Sequence, residues 1–155
     1  MLKVKIEKSE LALKLEKELG ISWDLVQQYS YDAGYDLRAC INKPIDLFGL
    51  QRCVIPTGLF IEMDGPYWEI QVRPRSGLAW KYGITIVNSP GTVDYLYREE
   101  MKVILLNTTQ YGRFIIHPGD RIAQACFRQI PEVSFQYVKE IEHTARGGFG
   151  STGNK

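Results

Sequence analysis

The sequence predicts an all-β domain, a small sandwich or barrel, preceded by one short helix. From Tyr31 onward, short apolar or alternating runs recur between turn residues: "CVIPTGLFIEM", "YWEIQV", "GITIV", "KVILLN", "RFIIHPGDRIAQACF" and "VSFQYV". That is the pattern of strands packed in layers. Two of the runs, "MKVILLN" and "RIAQACF", are apolar on both alternating faces, so their strands are expected to be covered on both sides, within a sandwich or against another subunit. A single helical periodicity precedes them, with Leu11, Leu15 and Leu19 at successive spacings of four and Gly20 as the stop.

In chain order, the opening "MLKVKIEKSE" has no apolar core of the kind an export signal needs, and nowhere do eighteen apolar residues run together. A membrane partner is therefore not expected. At 155 residues with 45% hydrophobic content, the chain is read as one soluble domain, residues 1–145, able to enclose its own core. Nineteen basic against eighteen acidic residues leave a formal charge of +1. No broad basic field advertises stable nucleic-acid binding, so an anionic ligand must be met locally. Cys40, Cys53 and Cys126 are odd in number and form no C-x-x-C pair, which predicts reduced, core-filling thiols in a cytoplasmic setting. The sequon at Asn107 is read as an accident. The chain closes on "TARGGFGSTGNK", with glycines at 147, 148, 150 and 153. Such a segment cannot bury enough surface to offset its ordering entropy, so residues 146–155 are expected to form a mobile arm that orders on what it binds.

Four other polar, glycine-bearing stretches punctuate the strands: "DAGYDLRA" (32–39), "RPRSGLAWKYGI" (73–84), "NSPGTVDYLYREEM" (88–101) and "HPGDRIAQ" (117–124). Singly, each has a structural explanation: Asp36 as a turn cap, "PRSG" as a loop with left-handed backbone at Gly77, "NSPG" and "HPGD" as ordinary turns. Tyr97 alone reads as core packing, and Asp94 alone as a strand-end carboxylate bonding its own backbone. In this order and together with "GFGSTG", they resemble the five motifs of the trimeric dUTPase family, from about Tyr31 to Gly153. The conjunction is what is specific, since any one motif is weak.

That resemblance implies a distorted jelly-roll or β-barrel of the β-clip type with a C-terminal arm. It implies hydrolysis of dUTP to dUMP and pyrophosphate, which limits uracil in DNA and supplies dUMP for thymidylate synthesis. Water attacks the α-phosphorus in line while Mg2+ bridges the triphosphate, chemistry that asks for positioning and charge neutralisation more than covalent help. On the matching positions, Asp94 orients the water and takes its proton. Its ordinary acidity makes it a weak base, so partial burial or a metal-polarised phosphate must lessen the demand on it. Arg75, Ser76 and Gly77 form the phosphate loop: a guanidinium fork, a hydroxyl, and a glycine that lets backbone N–H groups approach. Gln124 touches the α-phosphate or the attacking water, and Asp36 holds waters around Mg2+, which gives up its own waters reluctantly.

Asn88 and the strand Thr92, Val93, Asp94 meet the uracil edge within a hairpin that runs to Lys102, and Tyr97 packs beneath the deoxyribose. Donors and acceptors matched to uracil would be left unpaired by cytosine. In the arm, Phe149 stacks on uracil, Arg146 meets phosphate, and Gly150, Ser151 and Thr152 reach the terminal phosphates in an active site borrowed from other subunits of a homotrimer. The chain departs from the pattern at Leu96, usually small or acidic, at Glu99, usually glycine, and in an Arg146 to Phe149 spacing about two residues short. The segment before Tyr31 is also longer than usual. Two alternatives remain open: a dCTP deaminase, which shares the fold, and a non-catalytic nucleotide sensor on the same scaffold.

Overall fold

The computed structural model describes residues 1–142 and 144. The predicted helix is there, α1 at Glu10–Leu19, and its ends follow the chemistry of the sequence. The Ser9 hydroxyl accepts the Ala12 N–H at 3.1 Å, satisfying an orphan donor of the first turn. Gly20 closes the helix in the left-handed conformation at φ 63, where an L side chain would be strained. Ala12 and Leu15 face inward.

Strand β1 (Val4–Lys8) precedes the helix. It was not expected from the sequence, and it pairs antiparallel along its whole length with the distant β5 (Leu59–Met63). The remaining strands are β2 (Tyr35–Arg38), β3 (Ile45–Phe48), β4 (Arg52–Pro56), β6 (Trp68–Arg73), β7 (Ile84–Ile86), β8 (Gly91–Val93), β9 (Lys102–Asn107), β10 (Arg113–Ile116) and β11 (Arg121–Gln129). They form sheets in the orders β1-β5, β10-β3, β2-β11-β6-β8 and β4-β9-β7. Each is open, so the jelly-roll expectation holds without a closed barrel. Inward residues of every sheet meet in one core that includes Leu37, Leu47, Ile55, Ile70, Val103 and Ile116.

The two strands expected to be covered on both faces differ. On β11, Ile122, Ala123, Ala125 and Cys126 are all buried. On β9 the inward Val103, Leu105 and Asn107 are buried, while Ile104 and Leu106 are only half-covered within the single chain. Asn107 is 1% exposed. Its amide donates to the Leu47 carbonyl at 3.0 Å and its oxygen accepts from the Thr109 hydroxyl at 2.7 Å, so the sequon is a buried structural hydrogen-bond hub. Cys40 and Cys126 are buried and Cys53 half-buried, all as free thiols. Burial raises the pKa of the Cys40 and Cys53 thiols, as expected of inert packing residues.

Two expectations are corrected. "SGLAWKY" forms a second helix, α2 at Ser76–Tyr82, with Arg75 as its N-cap residue and Gly83 left-handed at its end. Gly77, expected to be left-handed, lies within this helix. "VSFQYV" is not a strand: residues 131–142 pair with no strand among the described residues, and Phe135 and Tyr137 are 80% and 97% exposed. Its alternation is that of a strand, but a strand needs a neighbour, and the described residues present none to it.

Candidate active site

The β2-β11-β6 region assembles the phosphate-loop residues. Gln124 stands directly opposite Asp36 on one side and Arg73 on the other. Between Arg121 and Ala123 the register shifts. In an unbroken strand, residues three apart point to opposite faces, and the irregularity brings the Arg121 side chain to the same side as Gln124. There the Asp36 carboxylate is gripped at both oxygens: Arg75 Nε donates to Oδ1 at 3.0 Å and Arg121 Nη1 donates to Oδ2 at 3.1 Å. Arg75 Nη1 also donates to the Arg121 carbonyl at 3.2 Å. The Asp36 side chain is 12% exposed.

Arg38 belongs to the same cationic group; burial, then the neighbouring Arg121 guanidinium, lower its pKa. It is held by donating to the Gly119 carbonyl at 2.9 Å and the Ser22 carbonyl at 3.0 Å. Arg38, Arg75 and Arg121 thus gather near Asp36, with Asp120 close to Arg38, and guanidiniums held in place in a chain of nearly zero net charge are what a polyanion can use. Sequence reasoning passed over Arg121 because its role depends on the register shift.

Asp36, Arg75, Ser76, Gly77 and Gln124 line one hollow of about 360 Å3. Gln124 is fixed by donating from Nε2 to the Pro74 carbonyl at 2.9 Å. Its Oε1 occupies the space beside Gly34, where an added Cβ would fall 2.2 Å away. Gly34→Ala is therefore expected to displace the Gln124 amide and lower turnover about tenfold with little loss of thermal stability, checked by steady-state rates beside a melting curve. An unaltered rate would remove Gln124 from the reacting centre.

Asn88, Thr92, Val93 and Lys102 line a second, smaller hollow with Val72, Ile86 and Gly91. The arms flanking it are not paired as a hairpin. β7 pairs with β9, and β8 pairs with β6, so the connecting loop straddles two sheets. As the last strand of its sheet, β8 keeps one edge of backbone N–H and C=O groups unpaired by any strand, the kind of surface that can read the edge of a base.

Asp94 and Tyr97 follow on one turn, with the Tyr97 N–H donating to the Asp94 carbonyl at 3.1 Å. The Tyr97 hydroxyl donates to the Glu100 carbonyl at 3.0 Å. Asp94 is exposed, so the described residues of its own chain do not supply the partial burial that was one of the two routes expected for it. Neither residue lines either hollow. Glu99 is not among the non-glycine residues with positive φ, which are Tyr31 and Leu50. The usual glycine is thus dispensable here, and Arg98 ties the turn by donating to the Tyr97 carbonyl at 3.1 Å. Leu96 points to solvent, 76% exposed. Arg146, Phe149, Gly150, Ser151 and Thr152 lie outside the described residues.

A family model described as dUTPase matches residues 23–153. The chain is 48% identical over 128 residues to the deoxyuridine 5'-triphosphate nucleotidohydrolase of Cytophaga hutchinsonii, covering 81% of this chain and 82% of that one. It is 52% identical over 126 residues to the protein of the same name from Treponema denticola, covering 80% and 86%. Among solved structures, the dUTPase from phage phi11 of S. aureus superposes with a TM-score of 0.73 at 21% identity over 93% of this chain and 99% of that one. A mutant of the same phage enzyme, described with a structural Mg(II) ion, gives 0.72 at 21% identity, covering 92% and 99%.

Proposed function

This chain belongs to the dUTPase family and hydrolyses dUTP to dUMP and pyrophosphate; we propose that it does so in active sites shared between the subunits of a homotrimer, with Asp94 priming the attacking water. One observation carries the shared-site reading. Asp94 stands on an exposed turn and lines neither the phosphate hollow nor the base hollow. A second subunit is what would bring Asp94 to a phosphate hollow. The chain also carries surface suited to such an assembly, since Trp80 of α2 is 89% exposed and Phe135 and Tyr137 stand free of the core.

In this reading Arg75, the Ser76 hydroxyl and the backbone at Gly77 hold the phosphate chain. Asn88 and the free edge of β8, Thr92 to Val93, meet uracil, with Lys102 at the border of that hollow, and Tyr97 packs under the sugar. Gln124 fixes the α-phosphate or the water, and Asp94 accepts the proton the water loses as the phosphorus–oxygen bond forms and pyrophosphate leaves. Residues 146–155 act as a closing arm, in which Phe149 covers the base while Arg146, Gly150, Ser151 and Thr152 meet phosphates.

The donor set fits Mg2+ held through water. Each Asp36 oxygen accepts one guanidinium bond and keeps a further acceptor position, while the ion itself is expected to rest on phosphate oxygens, whose charge it neutralises when bound. Reduced thiols in the core accord with a cytoplasmic setting.

Incubation with dUTP, dCTP or dTTP, with and without Mg2+, tests the assignment. Pyrophosphate is expected from dUTP with a preference of about 10^4 over dCTP, and chelation is expected to abolish most of it. Ammonia from dCTP would point to the deaminase alternative, and tight binding without turnover to the sensor.

A further inference from the structure

The segment between α1 and β2 reaches the phosphate hollow. Gln28, Tyr29 and Asp32 line it beside Asp36, Arg75 and Ser76. The segment is anchored at its start, where the Trp23 indole, 2% exposed, donates to the Thr57 carbonyl at 2.8 Å. Arg38 clamps the neighbouring Ser22 carbonyl at 3.0 Å.

Its far end is fixed from within. The Tyr29 N–H donates to the Asp32 carboxylate at 2.9 Å, and the Asp32 N–H donates back to the Tyr29 carbonyl at 3.2 Å. The Gln27 amide donates to the Asp32 carbonyl. The Asp32 carboxylate is thus occupied in building the turn. The Gln28 amide and the Tyr29 phenol, by contrast, make no side-chain hydrogen bond among the described residues, and both side chains are exposed. A preorganised wall presenting two uncommitted neutral donors shares the hollow with the Arg75 guanidinium, which grips Asp36 together with Arg121. Neutral donors add directional bonds to phosphate oxygens without adding charge that would retain a polyanionic product.

We propose that Gln28 and Tyr29 are further substrate-binding residues, donating hydrogen bonds to the phosphate chain from a wall that none of the five motifs includes. This rests on the assignment of the hollow to phosphates. The test is the double variant Gln28→Ala/Tyr29→Phe in the full chain, titrated with dUMP, dUDP and an α,β-imido analogue of dUTP in the presence of Mg2+. Its backbone-held turn and exposed positions leave folding intact. The expected weakening grows with phosphate number, from within about twofold for dUMP to about tenfold for the triphosphate analogue, with kcat for dUTP within about twofold of the parent. Equal weakening for all three nucleotides, or none, overturns the proposal. Arg75→Ala in the same titration separates the two readings. If it leaves the analogue's affinity unchanged, the hollow is not the phosphate site; if it weakens binding while the double variant does not, only the wall is lost.

Discussion

Asp94→Asn lowers kcat by about 10^2 to 10^4 while leaving the affinity for a non-hydrolysable dUTP analogue within about threefold: this is the expected result, because the substitution keeps shape and polarity and removes only the acceptor for the proton of water. The carboxylate is solvent-exposed in its own chain. In the proposed assembly its working environment comes from the neighbouring subunit, the nucleotide and its metal, in a space from which closure would expel water. Pyrophosphate release gives the rate and calorimetry gives the affinity. Unchanged turnover would remove Asp94 from the mechanism, and a parallel fall in affinity would make it a binding residue instead.

Deletion of residues 146–155 is expected to leave the oligomeric mass unaltered and to reduce turnover about a hundredfold or more. Loss of a stacking aromatic together with several hydrogen bonds to charged phosphate, at about 1.5–3 kcal/mol each, readily accounts for two orders of magnitude. Sedimentation of the truncated protein alongside its rate on dUTP makes the measurement. A fully active truncated chain would end the role assigned to the arm, and a dissociated one would make the segment part of the assembly rather than of the site.

What could be read from the sequence was what is local. α1 was legible because its apolar spacing at Leu11, Leu15 and Leu19 and its stop at Gly20 lie within ten residues, while its cap at Ser9 emerged only in the structure. The core strands were legible from alternation. β1 was not, because "VKIEK" is mostly charged and becomes a strand only by pairing with β5, more than fifty residues away. α2 was missed because seven residues beginning with Ser-Gly give too short a pattern to declare a helix. "VSFQYV" misled in the opposite direction, its alternation being real and its partner strand missing from the described chain.

The site divides the same way. The phosphate-loop residues expected at Arg75, Ser76 and Gly77 do converge with Asp36 and Gln124 on one hollow. Arg121 escaped notice because a one-residue irregularity in β11 decides where it points. That the loop carrying Asn88 straddles two sheets is a property of tertiary topology, with β7 and β8 sent to different sheets.

The pairing of β1 with β5 has a practical corollary. Recognisable kinship with the family starts at residue 23, yet Val4 to Lys8 match Met63 to Leu59 rung for rung, and Ala12 and Leu15 are sealed into the interior. Trimming the protein to its region of homology would strip away a stave of the wall and bare a sticky backbone margin backed by Leu59, Ile61 and Met63. Ancestry and architecture here have different borders, and the physical one must guide any attempt to dissect this chain.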